Sequence, residues 1–268
     1  MPPRLITGAI LAFWLTMTGW LLYREVVPAM LAEVSPSYMP DFTEELSTPI
    51  VAWNIIYNGE RAGSANSRIT KVGQGFEFRT ILNFNEKLPP FEQVDTMNRV
   101  TDDGKLLALD YKFVLANVAT FEIKGKIMNQ NLEPHVFVNG VETKMLDLGK
   151  IEIAQQGNFV STLSLVNRLR YLHEGQTWKV NSFDPSSTIK KLGGGDFFKM
   201  FAVAPLIAQV KTGTLHWDDR DIACYKIEYH EAGKDVAART WARKLDGLVL
   251  RQEASLFGMN MAFERMQK

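Results

Sequence analysis

The four histidines, His135, His173, His216 and His230, and the single cysteine, Cys224, are the residue types most often recruited to metal or nucleophile chemistry. No histidine stands at metal-ligand spacing from another, and no HExxH, CxxC or HxH occurs. Isolated histidines of this kind read as edge or surface residues. Cys224 lies in an alternating segment, from Ile222 to His230, on the side of Lys226 and Glu228; Ala223, Tyr225, Ile227 and Tyr229 take the other side. No nucleophile motif surrounds it, so it reads as a small filling residue. Asp218, Asp219 and Asp221 cluster, but Arg220 interrupts them and no late bidentate acid follows, as a calcium loop requires. A solvated hairpin turn between Trp217 and Ile222 accounts for them. Gly193-Gly194-Gly195 lacks the lysine and hydroxyl residue of a phosphate loop, and there is no GxSxG. The expectation is a protein without catalytic residues, metal ligands or cofactor.

What remains as a candidate site is apolar. The chain carries 16 Phe, 6 Trp and 11 Met, and methionine-rich surfaces re-pack around varied partners. These residues alternate with polar ones, the pattern of a half-buried antiparallel strand. Phe76, Phe78, Leu82 and Phe84 share one face against Glu77, Arg79 and Asn83. Leu107, Leu109, Tyr111 and Phe113 repeat this against Asp110 and Lys112, as do Phe121, Ile123 and Ile127 against Glu122, Lys124 and Lys126. Phe257, Met259, Met261 and Phe263 do so against Asn260 and Glu264. The candidate hydrophobic-ligand face is Phe76, Phe78, Phe84, Leu109, Phe113, Phe121, Met259 and Met261, with Phe197, Phe198, Met200 and Phe201 as a lid. The alternative is that the same residues fill the core of a closed or plugged sheet.

Turn signals separate the strands: Asn58-Gly59, Asp102-Asp103-Gly104, Asn139-Gly140, Ala232-Gly233-Lys234-Asp235 and Asp246-Gly247. Asn, Asp and Gly tolerate the positive φ that tight hairpins need. About a dozen strands at hairpin spacing predict a mainly all-β fold, a large curved antiparallel sheet or half-barrel. One or two short helices interrupt it. The spacing of Leu163, Val166, Leu169 and Leu172 before Gly175 predicts a helix over 161–173. The stretch from Phe197 to Val203 reads as a second helix or a lid.

Ahead of the strands, the run from Leu5 to Tyr23 is uncharged and as a helix spans roughly 29 Å, close to a bilayer core. It reads as a single transmembrane signal anchor, with a cleavable signal peptide as the competing reading. Arg4 on one flank, and Glu25, Glu33 and Asp41 against Arg24 on the other, predict a cytoplasmic N-terminus and a periplasmic or otherwise extracytoplasmic main domain. Trp20 and Tyr23 mark the outer boundary. Residues 1–23 are thus a cytoplasmic tip and anchor, 24–49 an extended proline-spaced stem, and 50–268 the β domain. The 30 basic and 30 acidic residues balance, and no basic run points to nucleic acid. A lone cysteine forbids an intrachain disulfide, so the core alone must stabilise the domain.

Several segments resemble a known group. The opening Trp53-Asn54-Ile55-Ile56-Tyr57-Asn58-Gly59-Glu60-Arg61-Ala62-Gly63-Ser64-Ala65 is similar to the start of exported bacterial β domains found with transglutaminase-like proteins. That group is itself similar to lipoprotein-carrier (LolA/LolB-like) half-barrels. Leu172-His173-Glu174-Gly175-Gln176-Thr177-Trp178 with Phe183-Asp184-Pro185 resembles its middle signature, and Trp241 to Val249 its closing hairpin. The resemblance implies a curved sheet that binds lipid or a protein partner in the envelope. It carries over no catalytic residue. The expected function is a membrane-anchored, non-catalytic binding or interaction module of the bacterial envelope; the alternative is a carrier or sensor of lipid-like ligands.

Overall fold

The structure is a computed structural model. It describes residues 4–27, 50–85, 91–115, 119–129, 131–143, 151–152, 158–161, 164–183, 204–231, 235–256 and 259–267. The expected lid, Phe197, Phe198, Met200 and Phe201, lies outside the described residues, as do Phe257 and the Ala232–Lys234 turn.

Helix α1 (Arg4–Leu21) runs into a π-helical turn (Leu22–Val26), so helical structure continues past Arg24, where the stem was expected to begin. Large apolar side chains are exposed all round it, among them Ile10, Phe13, Trp14, Leu15 and Trp20. The Arg24 guanidinium stands 5.3 Å over the Trp20 ring. Among the described residues, no helix is long and apolar enough to cross a membrane.

Most of the other described residues are in strands. The strands are β1 (Val51–Tyr57), β2 (Glu60–Lys71), β3 (Gly75–Phe84), β4 (Phe91–Thr101), β5 (Leu106–Leu115), β6 (Ala119–Met128), β7 (Asn131–Val138), β8 (Val141–Glu142), β9 (Ile151–Glu152), β10 (Asn158–Ser161), β11 (Thr177–Phe183), β12 (Ala204–Trp217), β13 (Arg220–His230), β14 (Val236–Arg243), β15 (Val249–Leu256) and β16 (Met259–Arg265). They form one open sheet, β10-β11-β12-β13-β14-β15-β16-β1-β2-β3-β4-β5-β6-β7-β8, with β9 also on β7. Among the described residues every strand pairing is antiparallel except β10 with β11. Among the described residues, three hairpins turn on two residues of positive φ: Asn58-Gly59, Asn139-Gly140 and Asp218-Asp219. This geometry matches the strand twist and suits Asn, Asp and Gly.

The sheet curls because one face is apolar. Inner residues from β1 to β7 and from β11 to β16 meet in a single cluster that a flat sheet could not assemble. Trp53, Tyr111, Phe113 and Phe263 are fully buried in it. Paired positions form a row across the sheet: Trp53, Ala65, Leu82, Val94, Phe113 and Phe121. Leu107 departs from the face expected of it. The β4–β5 register shifts between Arg99 and Val100, so Leu106 takes the inner position and Leu107 is turned out, 46% exposed.

The largest correction concerns 161–173. No helix forms there: the described residues 164–173 run extended, apart from an isolated bridge between Arg168 and Leu248. Burial alternates with period two, with Leu165, Asn167 and Leu169 inward. The spacing of Leu163, Val166, Leu169 and Leu172 imitated a helix because one inward position is a polar asparagine.

Candidate functional site

The strap 164–173 crosses the inner face of the sheet, and the sheet is chemically prepared for it. One step beyond the apolar row, paired inner positions read Ser67, Thr80, Thr96 and Tyr111, and the next row adds Asn98. These are polar groups on an otherwise apolar face, and all are buried. Burying them without partners would be costly, so each must bond. Trp53 Nε1 donates to Ser67 Oγ at 2.9 Å, and Ser67 Oγ donates to Asn167 Oδ1 at 2.7 Å. Tyr111 OH donates to Asn98 Oδ1 at 2.6 Å, and Asn98 Nδ2 donates to Ser164 Oγ at 2.7 Å. The Leu165 N–H donates to Thr80 Oγ1 at 3.3 Å, and the Val166 N–H to Gln252 Oε1 at 2.8 Å. The Asn167 carbonyl accepts from the Val249 N–H at 3.0 Å and from Arg265 Nη1 at 3.1 Å.

Held this way, the strap drives Leu165, Leu169 and Leu172 into the main core. It divides the candidate ligand face. Leu109, Phe113 and Met261 are buried in the main cluster. Phe76 and Phe78 join Ile69 and Val100 in a separate small cluster beyond the polar belt. Phe84, Phe121 and Met259 are only partly buried, packed against the main core.

Those three share an address. In an antiparallel sheet the end of one strand lies beside the start of the next, so Tyr57, Phe84, Leu115, Phe121, Tyr229 and Met259 gather at one end of the half-barrel, away from the strap. All are partly buried apolar or aromatic residues. At this mouth the inner face is partly exposed to solvent, as it is elsewhere at Ile127, Val166 and Tyr225. Burial pushes the Tyr229 phenol up to about 12, against an opposing hydrogen bond with Thr240, so it stays neutral there.

The outer face carries a ladder of charges. Glu228 accepts from Lys211 at 2.6 Å and Lys226 at 3.0 Å, and the ladder continues through Arg239, Glu253, Arg251 and Glu264. Cys224 is fully buried on this face against Leu215 and Leu250, and burial raises its thiol pKa, which disfavours the thiolate. His216 lies 3.0 Å from Asp221 and His135 2.6 Å from Glu142, both exposed pairs. Among the described residues no group of three His, Cys, Asp or Glu is placed to hold a metal ion.

The polar belt was not anticipated, although Thr80 has the same parity as Phe76, Phe78, Leu82 and Phe84 on β3. Ser67 likewise shares the inward parity of Ala65 and Ile69. A polar residue at an inward position was the signal.

No protein-family model matches the chain. No curated protein matches it either. Among solved structures it is similar to a beta-barrel-like protein of domain of unknown function DUF1849 from Brucella abortus, at 12% identity and a TM-score of 0.40; the match covers 81% of this chain and 95% of that one.

Proposed function

We propose that this chain is a non-catalytic binding module of the bacterial envelope, attached to a membrane through α1, with its β domain on the extracytoplasmic side. The observation that carries the binding reading is the strap. It fills the inner face with the chain's own leucines and leaves the apolar mouth as the receptive surface. Attachment is supported by α1 itself, whose apolar side chains are exposed all round with no polar face for water. Arg24 over Trp20 suits a boundary at the headgroups. A companion of the transglutaminase-like kind implied by the sequence resemblance would supply any chemistry.

A second reading, a carrier or sensor of lipid-like molecules, is favoured by the partial exposure of Phe84, Phe121 and Met259 at the mouth. Native mass spectrometry of the full chain in neutral detergent, before and after denaturation, separates the two. A lipid-sized adduct lost on denaturation favours the carrier, and a co-purifying protein favours the interaction module. Release of the chain from membranes by alkaline carbonate would rule out α1 as an anchor.

A further inference from the structure

The end of the half-barrel opposite the mouth, its base, is where β1 begins, and with it β3, β5, β7, β13 and β15, since neighbouring strands alternate in direction. Ile50, Val72, Met128, Tyr171, Leu245 and Met266 are all exposed there, by 37–89%. They stand in turns and at strand ends spaced around the rim. Among the described residues, Val141 is the one exposed large apolar side chain at the mouth. Such side chains scattered singly need no explanation, but a set gathered at one end does.

Two of them are held outward by the backbone. Tyr171 has φ +56, a conformation that bulky residues rarely adopt, between buried Leu169 and Leu172. This bend turns the tyrosine ring into solvent, 74% exposed. The Leu169 N–H donates to the Gly247 carbonyl at 2.8 Å, which fixes the strap against the turn that presents Leu245, 89% exposed. Backbone strain that puts an aromatic ring in water points to a contact surface.

The chain itself indicates what this surface meets. Residues 28–49 join α1 to Ile50 at the base, and fully extended they reach at most about 75 Å. The end of α1 nearest them carries Trp20, Tyr23 and Arg24, the aromatic and basic residues of a headgroup boundary. A tether of that length keeps the base at high effective concentration over the bilayer that holds α1, so a weak contact is enough. Exposed charges of both signs stand on the base, Lys71, Lys126 and Lys244 with Asp102, Asp218 and Asp219. Burial of apolar tips, rather than attraction to acidic headgroups, is then the driving force.

We propose that the base docks on the bilayer surface, with Tyr171, Leu245 and the other apolar tips of the rim set in the headgroup layer of the membrane that α1 enters. This docking rests on the attachment reading of α1 and adds an orientation to it. Strands of 10 residues, such as β3, β5 and β6, lift the mouth up to about 33 Å from the headgroups and face it away from them. A mouth so placed receives a protein, or a molecule delivered to it, rather than a lipid drawn from the bilayer below.

The test uses the full chain in dioleoylphosphatidylcholine vesicles. Cys224 is buried, so Leu245→Cys and Met128→Cys at the base, and Val141→Cys at the mouth, each offer one accessible thiol for a nitrobenzoxadiazole label. Spin-labelled phosphatidylcholine in the vesicles should quench the base labels at least threefold more than the mouth label, equally at low and high salt. Tyr171→Asn with Leu245→Glu should lower quenching at position 128 at least threefold. The melting temperature should not fall, since both side chains are exposed and asparagine tolerates the φ of Tyr171. Met266→Cys serves if a base label disturbs folding. Equal quenching at base and mouth, or none at either, in a chain that membranes retain through alkaline carbonate would overturn the docked base and leave attachment through α1 standing. Release by carbonate with the base still quenched at neutral pH would remove the anchor and keep the base as a peripheral contact. A spectral shift at the base without quenching would mean that a second copy or another protein covers it, and would also overturn the docking.

Discussion

Ser67 donates a 2.7 Å hydrogen bond to Asn167 across 100 residues of sequence, and both side chains are buried. Ser67 also accepts from Trp53 Nε1, so one hydroxyl ties the first strand, the second strand and the strap together. Asn167→Ala removes the acceptor while the Asn167 backbone carbonyl keeps its bonds from Val249 and Arg265. The expected cost is about 1–3 kcal/mol, the penalty of a buried polar group left unpaired. Urea unfolding of Ser67→Ala, Asn167→Ala and the double variant should show a coupling of about 1 kcal/mol. Additive effects would mean that the strap is held by its leucines alone.

Gly247 is the second tether of the strap. Its φ is +73, and a Cβ there would collide with the Leu169 carbonyl oxygen. Gly247→Ala combines a disfavoured backbone with a contact to rigid backbone, at a cost of at least about 2 kcal/mol. Limited proteolysis should then cut within 164–173 faster than in the parent chain. Gly59→Ala is the control: it shares the positive φ but meets no atom, so it should leave the strap as resistant as before.

These two tethers show why the strands were legible in the sequence and the strap was not. Strands with one wet face write their pairing into an alternation that needs no knowledge of the partner, as in Phe76, Phe78, Leu82 and Phe84. The strap alternates too, but Asn167 stands where an apolar residue would complete the pattern, and its burial makes sense only beside Ser67. Leu107 failed for a related reason: a bulge is a property of two paired strands, and β5 alone does not reveal it. The mouth depends on register as well, since the ends of strands distant in sequence assemble it.

Glu228 sets a pH dependence. Burial alone would raise its carboxyl, but the ammonium groups of Lys211 and Lys226 outweigh this and hold its pKa at about 2, against an ordinary value of 4.5. Between those values the unfolded chain binds more protons than the folded one. The contribution to stability is therefore complete above about pH 4.5 and is lost as pH falls towards 2. With Lys211 half exposed to solvent, that contribution is about 2 kcal/mol after screening. Glu228→Gln should lower stability by that order at pH 7, and the gap to the parent should close as pH falls towards 2. A gap independent of pH would mean that the ladder acts through packing rather than charge.

Phe113 and Phe121 are cross-strand partners on one inner row, yet the first is fully buried and the second only partly, near the mouth. Phe113→Ala opens a cavity in a packed core and should cost about 3–5 kcal/mol. Serine at both Phe121 and Met259 removes apolar surface that is already partly wet, so each change should cost less, about 1–2 kcal/mol. If the mouth receives a greasy ligand or partner segment, the double serine variant should bind a hydrophobic dye several-fold more weakly than the parent at a temperature where both are folded. Phe113→Ala should not weaken dye binding, because a filled interior offers the dye no entry. Equal losses of stability at the two positions, with dye binding unchanged, would make Phe121 and Met259 ordinary core and move the search for the binding surface to the opposite end of the sheet.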